Sequence, residues 1–103
     1  IGYWAFYRCS ALTSAALPAG LTSIGEDAFE CCDSLASITL PLPDGLSIIG
    51  YWAFYRCSAL TSAALPAGLT SIGEDAFECC DSLASITLPL PDGLSIIGYW
   101  AFY

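Results

Sequence analysis

Residues 24–41 read I-G-E-D-A-F-E-C-C-D-S-L-A-S-I-T-L-P, and this stretch decides the fold because its pattern recurs along the whole chain. Residues 1–18 carry Ile-Gly, Ala-Phe, Cys, Leu and Leu-Pro at the same spacings. Aligned units of this pattern begin at Ile1, Ile24, Ile49, Ile72 and Ile97. A short internal period is typical of repeat proteins, in which each unit packs only against its neighbours.

Two adjacent units form a 48-residue block, and residues 49–96 repeat residues 1–48 without a substitution. We call each unit a rung. The single domain of residues 1–103 then contains rungs 1–23, 24–48, 49–71 and 72–96 and a partial rung 97–103. Neither the first nor the last rung carries the atypical polar cap that ends most repeat arrays. We therefore expect the chain to be a segment of a longer array.

The pattern within a rung predicts one strand and one short helical turn. In residues 35–41 Leu35, Ile38 and Leu40 can point inward while Thr39 faces out, and a proline that cannot donate a ladder hydrogen bond ends the run. In residues 25–35 the apolar side chains recur at spacings of three and four, which is typical of a turn or two of helix. Stacked rungs would bury the core that no rung can form alone.

The joint spacing of Ile-Gly, Ala-Phe, Cys and Leu-Pro over all 103 residues resembles the BspA-type leucine-rich repeats. The rung length of 23–25 residues also lies in the range of leucine-rich repeats, about 20–29. The resemblance implies an α/β repeat solenoid with a parallel strand ladder, short helical or 3-10 turns and a bacterial or protist cell-surface location. The chain departs from the family pattern at Tyr3, Trp4 and Tyr7, where small or polar residues are usual.

Composition excludes several classes of function. The chain has no His, Lys, Met, Asn, Gln or Val, so the commonest general base and the imidazole metal ligands are missing. Its net charge of −8 would repel nucleic acid and anionic membranes, and no apolar run approaches the roughly 18–20 residues that span a bilayer. We expect no enzyme activity, no catalytic residue, no cofactor and no membrane insertion.

Two ladders of identical side chains are predicted in the core, because stacked rungs superimpose equivalent positions. The aromatic ladder comprises Phe6, Phe29, Phe54 and Phe77, and the thiol ladder comprises Cys9, Cys32, Cys57 and Cys80. The thiols are expected to be small buried hydrophobes rather than disulfides. Cys31 and Cys79 lie outside this ladder and could bond a second chain. Without His or a second C-x-x-C they do not indicate a metal site.

Aromatic residues recur in every second rung at positions expected to face solvent. They are Tyr3, Trp4 and Tyr7, their copies Tyr51, Trp52 and Tyr55, and Tyr99 and Trp100 of the partial rung. Such an apolar stripe, with copies about 10 Å apart, predicts an interface with another copy of the chain or with a carbohydrate. The alternative is that the rings fold back onto their own molecule.

Acidic residues occupy the same positions in the intervening rungs. Glu26, Asp27, Glu30 and Asp33 are interpreted as a solvated acidic surface, with calcium bridging or acid–base chemistry as weaker alternatives. A surface ion pair from Arg8 to Glu30 or Asp33 would contribute little.

These features predict a structural role: a self-assembling, extracellular solenoid that polymerises head to tail and laterally through the aromatic stripe. Ends without caps would expose strand edges. Head-to-tail association through such ends does not form a closed ring, so it generates filaments. Two alternatives remain, a cell-surface adhesin or ligand-binding module and a designed consensus repeat.

Overall fold

Very short parallel strands mark the rungs in the computed structural model. The structure describes residues 1–17, 20–38, 45–63, 68–83, 85–86 and 96–98. Within these ranges the strands have two residues each: β1 (Ser14–Ala15), β2 (Ser23–Ile24), β3 (Ser37–Ile38), β4 (Ile48–Ile49), β5 (Ser62–Ala63), β6 (Ser71–Ile72), β7 (Ser85–Ile86) and β8 (Ile96–Ile97). The part of the chain that the structure describes contains no helix long and apolar enough to cross a membrane.

The strands pair in parallel and in register with the repeat. Strands β2, β4, β6 and β8 form one sheet, in which Ile24, Ile49 and Ile72 stack as register partners and are fully buried. Strands β1 and β3 pair, as do β5 and β7, in the segment where the sequence predicts a strand. The predicted parallel solenoid is confirmed. The larger sheet, which ends at the Ile of Ile-Gly, was not predicted because only two residues form each strand.

The helical turn predicted for residues 25–35 is wrong. Residues 25–32 form successive β-turns instead, closed by hydrogen bonds from Ala28 N to Gly25 O (3.3 Å), Glu30 N to Asp27 O (3.1 Å) and Cys32 N to Phe29 O (3.2 Å). Asp27 and Cys31 have φ angles of 58° and 57°, which a right-handed helix does not allow. The apolar spacing of three and four arises because such turns place every third or fourth side chain inward.

Every second amide in these turns donates to the next rung. The N–H groups of Asp27, Phe29 and Cys31 donate to the carbonyls of Tyr51, Ala53 and Tyr55 at 3.0, 2.8 and 2.8 Å. The same pattern joins the first rung to the second and the third to the fourth. The amides between them close the turns. The β-turn segments of neighbouring rungs are therefore hydrogen-bonded to one another in the manner of a parallel ladder. A helix would have kept all of these bonds within one rung.

Stacked phenylalanines form the centre of the core. Ring centroids of Phe6, Phe29, Phe54 and Phe77 follow one another at 5.0, 5.2 and 5.1 Å, with interplanar angles of 10° or less. Phe29, Phe54 and Phe77 are buried, whereas Phe6 in the first rung is 38 % exposed because only one rung covers it.

The thiol ladder adds a side-chain bond between rungs. The thiols of Cys32, Cys57 and Cys80 donate to the carbonyls of Phe6, Phe29 and Phe54 at 3.0–3.1 Å. All three are buried, and Cys9 in the first rung is half-buried. Burial raises the pKa of Cys32 to about 11 and that of Cys80 to about 12, and it raises the pKa of Cys57 further. All six cysteines lie in described residues and are free thiols.

Glycine follows the Ile that begins each rung, and from the second rung onward the backbones of neighbouring rungs almost touch there. A Cβ on Gly50 would lie 2.8 Å from Glu26 N and from the carbonyl carbon of Gly25. A Cβ on Gly2, in the first rung, would meet nothing within 4 Å.

We expect Gly50→Ala to lower the free energy of unfolding by about 1–3 kcal/mol, since its methyl group would clash with backbone that cannot move independently. Gly2→Ala, the matched control, should leave stability unchanged or raise it slightly, because its methyl group has room. Urea unfolding followed by circular dichroism measures both. Equal effects of the two substitutions would contradict the close approach of the rungs.

The thiol ladder predicts selective protection of cysteines. Iodoacetamide at pH 8 should modify Cys9, Cys31 and Cys79 in the native protein, while Cys32, Cys57 and Cys80 react only after unfolding, because the thiolate is the reactive form. Peptide mass spectrometry after timed labelling gives the order of reaction. Early modification of Cys57 would show that the ladder opens in solution.

Candidate functional site: the aromatic and acidic stripe

The candidate site lies on the β-turns that follow the four-stranded sheet. We call Tyr3, Trp4 and Tyr7, and their copies Tyr51, Trp52 and Tyr55, the aromatic triads. The acidic triads of the intervening rungs are Glu26, Asp27 and Glu30, and Glu74, Asp75 and Glu78. The hydrogen bonds between turns place these triads alternately along one surface. Tyr99 and Trp100 lie outside the described residues.

The aromatic side chains differ in exposure between the two triads. Tyr3, Trp4 and Tyr7 of the first rung are 67 %, 60 % and 42 % exposed. Tyr51, Trp52 and Tyr55, which lie between two acidic rungs, are half-buried. The sequence alone predicts equal exposure, because it cannot show that flanking rungs cover these rings.

Each of the two tryptophans in the described residues is attached to the acidic rung that follows it. Trp4 Nε1 donates to Asp27 Oδ2 and Trp52 Nε1 donates to Asp75 Oδ2, both at 2.7 Å. The flanking tyrosines pack on the indole, with the centroids of Tyr51 and Tyr55 4.7 and 5.6 Å from that of Trp52. The rings therefore form a fixed surface that contacts its own molecule while remaining partly open to solvent.

The backbone is strained at Trp4 and at Trp52. Trp4 and Trp52 have φ angles of 52° and 53°, in the left-handed region that bulky residues rarely adopt. A residue held there costs about 1–3 kcal/mol and persists only where its surroundings fix it. The bond from each indole to aspartate and the hydrogen bond from each tryptophan amide to the next rung provide that restraint.

Asp27 and Asp75 are buried, contrary to the expectation of a solvated acidic surface. Each is only 5 % exposed, and its Oδ1 atom has no hydrogen-bond partner among the described residues. The sequence did contain a signal for this burial, because Asp alternates with Trp at one aligned position and an indole N–H needs an acceptor when it is covered.

Glu30 and Glu78 lie beside these buried aspartates. Burial, and then a hydrogen bond to Asp27 and its charge, raise the pKa of Glu30. Burial, and then the charge of Asp75 and a hydrogen bond to it, raise the pKa of Glu78. Two carboxylates cannot donate to each other, so this hydrogen bond forms only when the glutamate takes up a proton, and the ionised pair leaves the aspartate Oδ1 without a donor.

Two kinds of depression open on this side of the coil. A groove of about 390 Å³ is lined by Trp4, Tyr7, Asp27, Glu30 and Trp52. Two further depressions, of about 210 and 540 Å³, are both lined in part by Asp33 and Arg56. Arg8 forms no ion pair with the acids in the described residues, and its guanidinium carbon lies 5.9 Å from the centre of the Tyr7 ring.

Acidification should stabilise the fold through the glutamate pairs. Because the pKa values of Glu30 and Glu78 are higher in the folded state, that state binds more protons, and stability rises as the pH falls through the raised values. The effect should be complete below their ordinary value of 4.5. Glu30→Gln with Glu78→Gln should raise the melting temperature at pH 7 by a few degrees and reduce its pH dependence.

Glu74→Gln is the control, since it removes a carboxylate of the same triad and should leave the pH dependence in place. Melting curves between pH 4 and 8 for the unaltered protein, the double variant and the control test the pairing of each glutamate with its neighbouring aspartate. A pH dependence unaltered in the double variant would contradict it.

Comparison with known proteins agrees with this geometry. The pattern of the BspA type leucine-rich repeat region matches residues 1–103 in six copies. A leucine-rich repeat protein of T. pallidum is 39 % identical with a TM-score of 0.88, over 95 % of this chain and 44 % of that protein. A leucine-rich repeat protein from Bacteroides ovatus is 40 % identical with a TM-score of 0.83, over 95 % of this chain and 24 % of that protein.

A leucine-rich cell surface protein of Faecalibacterium prausnitzii is 39 % identical with a TM-score of 0.79, over 84 % of this chain and 22 % of that protein. The chain thus spans less than half the length of each of these three proteins. No curated protein sequence matches the chain. The repeat pattern, the stacked parallel rungs and these similarities together show that the chain belongs to the BspA-type leucine-rich repeat family.

Proposed function

We propose that this chain is part of a cell-surface structural solenoid that associates with further copies by stacking rung on rung. The observation that carries the proposal is the repeated row of backbone hydrogen bonds between rungs, because any rung that ends a stack offers one unused row of this kind. The carbonyls of Tyr51, Ala53 and Tyr55 accept bonds from the rung before them, but no described residue donates to the equivalent carbonyls of Tyr3, Ala5 and Tyr7. This face of the first rung combines a row of acceptors with an exposed aromatic triad.

The contacts between rungs inside the molecule support this proposal. Between the second and third rungs, an acidic rung supplies the amides of Asp27, Phe29 and Cys31 and covers the aromatic triad that follows it. A rung at the end of a second copy carries the same Ile-Gly and Ala-Phe pattern, so it would offer amide donors to the first rung and a second ring to Phe6. Head-to-tail stacking of this kind does not close, so it produces filaments.

The cell-surface location is part of the same proposal. It is supported by the family and by the similar structure from F. prausnitzii, which is a cell surface protein. An array of rungs without a catalytic constellation in its described part suits an extended structural role, and we propose no enzymatic one.

A second candidate function is recognition of an external ligand, such as a carbohydrate, along the stripe. The half-exposed rings of Trp52 and its neighbours beside carboxylates favour it, since sugars stack on aromatic rings and donate hydrogen bonds to carboxylates.

End-on association should depend on the first rung. Tyr3→Ser with Tyr7→Ser should weaken association at least tenfold, because it removes the exposed rings of that face. Tyr51→Ser with Tyr55→Ser has the same composition and is the matched control, which should lower stability but preserve association. Sedimentation at increasing protein concentration measures both. Association should strengthen with salt, because the net charge of −8 repels like chains.

Negative-stain microscopy of the concentrated protein should show filaments with an axial repeat of about 10 Å or a multiple of it. Monomers at all concentrations would refute self-association. Equal weakening by the two double variants would replace end-on stacking by lateral contact along the stripe.

A further inference from the structure

We propose that the groove between Trp4 and Trp52 is a binding site for an organic cation of the quaternary ammonium class. The groove spans the acidic second rung and is bounded by tryptophans from the rungs on either side, about 10 Å apart by strand spacing. Its volume of about 390 Å³ admits a trimethylammonium group with part of the chain that carries it.

The acidic side of the groove carries charge that no ion pair among the described residues neutralises, since Arg8 acts on Glu30 by its charge without pairing with it. Asp27 is 95 % buried, since only 5 % is exposed, and the Trp4 indole occupies one of its oxygens while the other has no partner. Glu30 lies beside it on the same lining. A buried carboxylate without a compensating charge is costly, and a cation held above this pair would offset that cost.

The aromatic side of the groove supplies surfaces that attract cations. The indole nitrogens of Trp4 and Trp52 are both occupied by aspartates, so toward the groove these rings offer ring carbons and the parts of their π faces that the neighbouring tyrosines leave open. A cation over such faces is attracted by the negative charge density of the ring. Tyr7 already shows this attraction within the molecule, because the Arg8 guanidinium carbon lies 5.9 Å from its ring centre.

Other ligand classes fit less well. A divalent metal needs a cluster of oxygen ligands, and the described residues contain no group of three or more acidic or thiol side chains placed to hold one. An anion is repelled by a chain of charge −8. A sugar would stack on the rings but would leave the carboxylate charge in place. A soft organic cation uses both halves of the groove.

The arrangement begins again one block later. Asp75 is equally buried, its Oδ1 is also unpartnered, and Trp52 bonds to it as Trp4 bonds to Asp27. One cation site per 48-residue block would give a surface of regularly spaced sites, which raises the avidity for ligands displayed in arrays.

The test compares choline with 3,3-dimethyl-1-butanol, its uncharged isostere, by calorimetry and tryptophan fluorescence. The protein is kept dilute enough to be monomeric by sedimentation, and sodium chloride holds the ionic strength constant. Choline should bind at least tenfold more tightly than the isostere. Equal affinities would show an apolar groove without cation selectivity. Absence of choline binding, or tighter binding of methyl β-glucoside, would overturn the proposal.

Asp27→Asn with Asp75→Asn is the variant that tests the charge. Asparagine keeps an acceptor for each indole and removes the negative charge, so choline affinity should fall at least tenfold while glucoside affinity is unchanged. Unfolding curves check that the variant is folded. If the variant does not fold, the comparison of choline with its isostere on the unaltered protein still decides the proposal. Retained choline affinity in a folded variant would refute the role of the aspartates.

Two further probes identify the source of the ammonium group. Phosphatidylcholine vesicles against phosphatidylglycerol vesicles test a lipid headgroup, and a trimethyl-lysine peptide against its unmodified form tests a methylated protein. Preference for the first member of either pair supports the cation site and assigns its source, and preference for neither overturns it as a site for attached ligands. Because the proposal does not require self-association, monomers that bind choline would refute the filament alone.

Discussion

The hydrogen bonds that the turns donate to the next rung constrain the rest of this structure. In residues 27–32 every second amide donates to the next rung, and the amides between them close β-turns. This division holds the rungs at the separation of neighbouring strands, and the phenylalanine rings accordingly stack at 5.0–5.2 Å. At that separation a side chain on Gly50 has no room, and the thiol of Cys57 reaches the Phe29 carbonyl.

The same bonds give the surface a period twice that of the core. Core side chains repeat in every rung, whereas aromatic and acidic triads alternate, and the bond from Trp4 to Asp27 joins unlike rungs. The alternation places an indole over each buried aspartate, with a glutamate beside it. It produces the groove and the unpartnered carboxylate oxygen on which the proposed cation site depends, while the proposed end-on stacking depends on the backbone bonds between rungs.

Much of the architecture could be predicted, because stacking identical rungs superimposes identical residues. The Phe29 and Cys32 ladders follow directly from alignment, and the parallel strands follow from the requirement that rungs stack. The turns could not be predicted in the same way. An apolar spacing of three and four residues fits a helix as well as successive β-turns. Residue preferences do not predict that Trp4, Asp27 and Cys31 together adopt left-handed φ angles.

The sequence by itself determined the family, the rung length and which side chains form the core, since these depend on periodicity alone. Tertiary structure decided the burial of Asp27, the covering of Trp52 and the exposure of Trp4. These properties depend on which rung lies on each side of a residue and on where its backbone hydrogen bonds lead. A residue type repeated identically along the chain therefore has different environments in the first rung and in the third.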